Sequence, residues 1–338
     1  QLSLIYFFKN CGVIPKLKVR KMNSTKILVA VDGSEYSQNA SVNAFWLAKA
    51  IKARVEAVTV VDPRIVDLFL SPDFAEDLGL KPSIDASAKI IKALKRIGTV
   101  VLDLWKVDCK EHLDVDSKGW LAVGDTTSEI LKHGNDCDLT VVGHRGVGYK
   151  SHQPSATHFR VGSVAERVAV GAKKSVLIAV EPPSALRSIL VAYDGSEPAK
   201  GALLLAEQLA VSTGLPLRAI HVVKDESLRA QASSTIELGA SLLRQYEPVS
   251  NDAGAKESAV GDKSGSVAVQ DRTTALMESV FRIQVGAPGK TILDEAKKEE
   301  ALLVLGSYGF KDPEDNVLGS TTTQIVRSTR TSVLVYRQ

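Results

Sequence analysis

Residues 26–35 read KILVAVDGSE and residues 188–197 read SILVAYDGSE. Eight of the ten positions agree at an offset of 162. A second match, DLTVVGHRG at 138–146 against ALLVLGSYG at 301–309, holds at an offset of 163. Self-similarity at one long spacing predicts two copies of a unit of about 150 residues, at 22–181 and 187–338. The joint, Glu181-Pro182-Pro183-Ser184, is short and stiffened by two prolines, so the copies are expected to lean on each other.

Each copy opens on an apolar, β-branched run, as a strand buried on both faces requires. After residues 27–31, residues 37–53 place Ala40, Ala44, Leu47, Ala48 and Ile51 at helical spacing. Strands at 55–61, 120–123, 139–142 and 176–180 then alternate with helices at 86–104, 126–133 and 164–170. The second copy predicts strands at 189–193, 217–223, 281–285, 302–305 and 333–336, and helices at 199–212, 227–246, 292–299 and 321–329. Strands joined by helices of this length imply right-handed crossovers and a parallel sheet covered on both faces. The predicted fold class is α/β, two tandem copies of a five-stranded, Rossmann-like parallel-sheet domain. Residues 251–272, rich in Gly, Ser, Asp and Lys, break the rhythm and read as a surface excursion.

Composition narrows the function classes. A hydrophobic fraction of 44% with 24% charged residues is that of a globular chain, not a fibrous or disordered one. No apolar run approaches membrane-spanning length. Cys11, Cys109 and Cys137 are too few and too scattered for a disulfide framework or a zinc knuckle, which suggests a reducing cytoplasm. The net charge of +3 belongs to residues 1–21, which carry five Lys or Arg and no acid. The remainder, at −2, lacks the basic face that nucleic acid demands. Residues 1–21 run apolar and then basic, the reverse of a secretory signal, and are expected to form a flexible basic extension before folded sequence near Met22. A membrane-surface or partner-binding arm is the alternative.

In an open parallel sheet, ligands sit beyond the carboxyl ends of the strands. Three features of each copy fall on that edge. Asp32 and Asp194 end the first strand of each copy, where a carboxylate meets ribose hydroxyls or a phosphate-bound Mg2+, or else caps the following helix. Gly306 and Gly309 follow the fourth strand of the second copy, where glycine lets backbone approach a ligand. Ten residues later come Gly319-Ser320, at the start of the last helix, whose free N–H groups suit phosphate.

This pattern, Gly-x2-Gly-x9-Gly-Ser with the Asp ahead of it, resembles the nucleotide-binding members of the universal stress protein family. The resemblance spans about residues 24–338 in tandem and implies an adenine-nucleotide-hydrolase-like fold that holds ATP, ADP or AMP, with or without Mg2+. By that likeness Asp194 faces the ribose and the backbone near Val222 reads the adenine. Gly309, Gly319, Ser320 and Thr321 hold the phosphates. In the first copy Asp32, Val60, Gly143, Gly146, Gly162 and Ser163 are the counterparts, but 15 residues separate Gly146 from Gly162. The longer loop closes over phosphates, occludes them or pulls Gly162 off target, so nucleotide is expected foremost in the second copy.

The enlarged loop carries His144, His152 and His158, but their spacing fits no common metal template and no acid or Cys completes a set. Gly286-Ala-Pro-Gly289-Lys290-Thr291 ends like a P-loop, yet Gln284 stands where its first glycine belongs. Neither copy shows a Ser-His-Asp set, a nucleophile elbow or a lysine placed for phosphoryl transfer. The expected function is therefore that of a nucleotide-binding regulator in the stress response, with an unidentified protein partner. A slow ATPase or nucleotidyl-transfer enzyme and a nucleotide-free scaffold are the alternatives. The apolar last strands at 176–180 and 333–336 are hazardous as bare edges. They are expected to pair with each other in a pseudo-twofold monomer, with further dimerisation left open.

Overall fold

A computed structural model describes residues 25–64, 66, 84–115, 117–146, 161–246, 278–310 and 318–337. The extension at 1–21, most of the enlarged loop with His152 and His158, and the segment 251–272 lie outside these residues. The first half runs β1 (Lys26–Ala30), α1 (Glu35–Ile51), β2 (Arg54–Val61), α2 (Ile84–Leu113), β3 (Lys118–Val123), α3 (Thr126–Gly134), β4 (Leu139–Gly143), α4 (Ser163–Gly171) and β5 (Ser175–Ala179). The second runs β6 (Ser188–Ala192), α5 (Glu197–Thr213), β7 (Leu217–Val223), α6 (Arg229–Gln245), β8 (Phe281–Val285), α7 (Pro288–Lys298), β9 (Ala301–Gly306), α8 (Ser320–Ser328) and β10 (Val333–Tyr336).

All ten strands form one sheet in the order β3-β2-β1-β4-β5-β10-β9-β6-β7-β8. Among the described strands every pairing within each half is parallel, and only β5 and β10 meet antiparallel, with Leu177 opposite Leu334. The sheet therefore has a pseudo-twofold axis at its centre and buries both last strands. Because strand side chains alternate, Ile27 and Val29 enter one core while Leu28 enters the other. The first core lies under α1, α2, α5 and α6, the second under α3, α4, α7 and α8, and each runs through both halves.

Polar contacts reinforce the joint. Asn39 and Asn43 donate to the Val180 and Glu181 carbonyls at 3.1 and 2.7 Å. The Arg337 guanidinium donates to the Ala169 and Val170 carbonyls at the end of α4, where a cation complements the helix dipole. Gly201, inside α5, has its Cβ position 2.1 Å from the Tyr336 ring. Alanine normally improves a helix over glycine. Here Gly201→Ala should instead cost about 1–3 kcal/mol by displacing Tyr336, measured as a lowered urea midpoint.

One element is longer than its sequence pattern indicates. The second helix continues nine residues beyond 104, to Leu113. Trp105 and Cys109, both buried, keep a sheet-facing row at four-residue spacing. In the second half the predicted helix at 227–246 divides into a 3-10 turn, Glu226–Leu228, and α6. Cys109 and Cys137 are free and buried, and burial pushes both thiols up, Cys137 to about 11. No helix among the described residues is long and apolar enough to cross a membrane.

Candidate functional site

The Asp-Gly-Ser turns build the same device twice. Gly33 and Gly195 sit at φ +81° and +85°, left-handed conformations that favour glycine. The turn brings Ser34 to the N-cap of α1 and Ser196 to that of α5. The aspartates are therefore not the caps. Asp32 Oδ1 accepts from Ser34 N–H at 3.0 Å and from its hydroxyl at 2.6 Å, and Asp194 Oδ1 holds Ser196 at the same two distances. One oxygen of each carboxylate thus braces the cap. The other faces the loop after the fourth strand, 2.8 Å from the Cβ position of Gly146 for Asp32 and 3.0 Å from that of Gly309 for Asp194. Any side chain at 146 or 309 would crowd that oxygen.

The last helices have no side-chain cap. Gly162 and Gly319 occupy the N-cap positions of α4 and α8, where no side chain accepts from the first turn. The first intrahelical bonds are Glu166 N–H to Gly162 O and Thr323 N–H to Gly319 O. The amides of Ser163, Val164 and Ala165, and of Ser320, Thr321 and Thr322, precede that ladder at the positive end of the helix dipole. The glycine amides themselves are not available. Gly162 N–H bonds the His144 carbonyl at 2.8 Å and Gly319 N–H bonds the Ser307 carbonyl at 2.9 Å. Gly319 thus spends its own amide on shaping the loop while remaining in the cavity wall. The matching bonds also show that the longer loop leaves Gly162 in register with Gly319.

Gly143 and Gly306 have a packing reason. Their Cβ positions fall 2.7 Å from the Tyr36 backbone and 2.8 Å from the Pro198 backbone, where α1 and α5 begin. The second strands supply the far wall. Val58 and Ile220 carbonyls accept from Val31 and Tyr193 N–H, while Val61 and Val223 carbonyls accept on the opposite side from Gly124 and Gly286. Strand alternation therefore turns the peptide groups of Val60 and Val222 past the ends of β1 and β6.

These groups enclose two cavities of about 530 and 560 Å³. Asp32, Val60, Gly143, Gly146, Gly162 and Ser163 line the first. Asp194, Val222, Gly306, Gly309, Gly319, Ser320 and Thr321 line the second. Each therefore combines an acid, an open helix start, a strand edge and apolar walls, a size and mix suited to a small ligand. The loop side chains escaped the motif reading. Arg145 lines the first cavity, while Tyr308 and the largely exposed Phe310 line the second. The signal for Arg145 and Tyr308 was the two residues between the paired glycines, His-Arg in one copy and Ser-Tyr in the other; Phe310 follows the second glycine.

Beside the first cavity, Arg64 forms ion pairs with both Asp62 and Asp125. Arg64 holds Asp62 below the usual carboxylate range, and bonds from Ser128 and Arg64 lower Asp125 to about 2. The equivalent positions of the second copy, Lys224, Glu226 and Ala287, have no such clamp residues. The P-loop-like run gives the second cavity only Pro288, as part of its wall, and no phosphate-cradling loop. Gly286 begins a turn with its N–H on Val223 O, and Gly289 lies within α7 against Gln324.

His144 is not in a solvated loop. It is 3% exposed, bonds the Thr329 backbone of the other half, and leaves Nε2 buried without a partner. Burial, with Arg145 adding repulsion, lowers its pKa to about 4. A depressed histidine supports folding above its unfolded pKa near 6.5 and loses that support as pH falls toward 4. Acidification across that window should cost on the order of 3 kcal/mol at this group. The pH dependence of the urea midpoint should lose this component in His144→Gln. No group of three or more metal-ligating side chains occurs among the described residues.

A doubly wound sheet with a cavity at each switch point defines the class: a paired α/β protein of the open-sheet type. The description "Universal stress protein family" matches residues 23–179 and again 185–337, so the chain belongs to that family as two tandem domains. It is 24% identical over 323 residues to universal stress protein Slr1230 of Synechocystis, covering 92% of this chain and 99% of that protein. Among solved structures, a universal stress protein from Archaeoglobus fulgidus aligns with a TM-score of 0.62 at 21% identity, over 92% of this chain and 98% of that one. A Pseudomonas aeruginosa protein of unknown function aligns with a TM-score of 0.56 at 14% identity, over 94% of each chain. These two likenesses concern the fold.

Proposed function

We propose that each half binds an adenine nucleotide and that the chain is a nucleotide-responsive regulator in the stress response. The observation carrying this reading is the juxtaposition, in both cavities, of an uncapped helix start and a carboxylate across a side-chain-free loop. The three open amides of α4 and of α8 suit a polyphosphate, which needs several donors and a positive potential. Asp32 and Asp194 each use one oxygen to hold the turn and bring the carboxylate to the cavity wall, where it suits ribose hydroxyls. The outward peptide of Val60 or Val222 offers one donor and one acceptor, the pair an adenine edge requires. The apolar walls, Val58, Ile130 and Val142 in the first cavity, receive the base.

The cradle left by Gly146 and Gly309 fits a Mg2+-bound phosphate near Asp32 or Asp194. The metal would neutralise phosphate charge there. The described residues supply binding groups at both ends of a nucleotide, so the proposed output is an ordered loop and last helix offered to a protein partner. Arg145 gives the first cavity a cation that Tyr308 does not give the second. The first site is accordingly proposed to bind as well as the second. Equilibrium dialysis against labelled ATP, with GTP as competitor, tests the reading. Two ATP sites per chain that GTP competes for poorly are expected, and absence of saturable binding would refute it.

A further inference from the structure

Helix α2 presents a second apolar stripe to solvent. Ile97, Val100, Leu104 and Val107 are 60, 57, 62 and 56% exposed, although its sheet-facing row is separately filled by Leu102, Trp105 and Cys109. With Ile90 and Ala93 the stripe runs 90, 93, 97, 100, 104, 107, alternating steps of three and four. That is the a/d spacing of helices that pack against one another. The other half supplies an internal control. Val101 packs beside Gly33 as Thr235 packs beside Gly195, which aligns Ile97, Val100 and Val107 with Gln231, Ser234 and Ser241. Only Leu104 keeps an apolar counterpart, Leu238. The stripe is therefore peculiar to the first half and not a requirement of the fold.

We propose that α2 is a dimerisation helix that pairs antiparallel with α2 of a second copy of this chain. The sequence of the helix fits itself in one register, with the twofold axis between residues 98 and 99. Ile97 then meets Val100 of the other copy, Ala93 meets Leu104, and Ile90 meets Val107, so all six seam positions find an apolar partner. The smallest faces one of the largest. In the same register the flanking Arg96 meets Asp103 of the other copy, twice by symmetry. Asp103 holds Lys106 of its own helix at 3.2 Å, an exposed pair that exchanges at little cost. The charge along the helix follows the same logic. Residues 86–102 carry Lys89, Lys92, Lys95 and Arg96 and no acid, whereas 103–113 carry three acids and two lysines. Antiparallel pairing lays the basic half against the acidic one, and parallel pairing would stack like on like. The like-charged Lys89–Lys110 contact falls at the ends, in solvent.

Sedimentation velocity of the full chain over a micromolar series tests this. Wild type should show a concentration-dependent dimer. Ile97→Glu/Leu104→Glu should weaken it about a hundredfold or more, with unchanged far-UV circular dichroism because both positions are exposed. Arg96→Asp and Asp103→Arg should each weaken it roughly tenfold, and the double reversal should restore it. A wild type that stays monomeric, or a dimer indifferent to the seam substitutions, overturns the proposal. So does failure of the double reversal to restore what the single ones lose. A monomer that instead binds anionic phosphatidylserine vesicles through the stripe also overturns it, and makes α2 a membrane-surface helix.

Discussion

Saturating Mg-ATP should stabilise the chain by about 2.7 kcal/mol per occupied site when ligand stands a hundredfold above its dissociation constant. The decisive variants place an acid at the first helical position of each cavity, Ser163→Glu and Ser320→Glu. Both serines are exposed, and a carboxylate at a helix start favours the helix by about 0.3–1 kcal/mol. The fold should therefore survive or gain slightly. Phosphate, however, would meet a negative charge among the amides meant to receive it. Each single variant is expected to lose one site's share of the thermal shift, and the double variant nearly all of it. A shift that persists undiminished in the double variant would place the nucleotide elsewhere on the protein.

The second large effect concerns the sheet. Leu177 and Leu334 face each other across β5 and β10, at 0 and 1% exposure. Truncating either deletes buried methyl groups at the one antiparallel pairing that unites the halves, so Leu334→Ala should cost about 2–5 kcal/mol. The tryptophans reveal how far that loss travels. Trp46, Trp105 and Trp120 all belong to the first half, whereas far-UV circular dichroism reports both. With each core running through both halves, the fluorescence and dichroism transitions in urea should coincide. Both should move together in Leu334→Ala, although the substitution lies in the half without tryptophan. Fluorescence unmoved by Leu334→Ala would show two independent domains.

Much of this arrangement was legible in the chain. Apolar β-branched runs after long amphipathic stretches have one economical packing, so the repeated KILVAVDGSE motif led to the sheet. Asp32, Asp194 and the glycines were readable because their residue types are unusual at strand ends. What each group does with its atoms was not readable. The destinations of the Gly319 and Gly162 amides, which fold back on the Ser307 and His144 carbonyls, have no signature in the local sequence. Gly143 and Gly306 are small because a helix start lies against them, a tertiary fact without a local signature. His144 illustrates the same limit. Sequence placed it in a polar loop, yet the backbone turns it into the seam between the halves. The outer stripe of α2 was hidden differently, because its apolar spacing does not tell which face of the helix meets the sheet, and the sheet occupies the opposite one.

On the proposed function, polyphosphate rests on the open amides of the two last helices. Native mass spectrometry of the freshly purified chain, before and after a brief incubation with Mg-ATP, tests it most directly. Two added nucleotides on the wild type, one on Ser320→Glu and none on Ser163→Glu/Ser320→Glu are the predicted masses. A chain that carries no nucleotide under any of these conditions, or keeps two when both helix starts are acidic, would contradict the account.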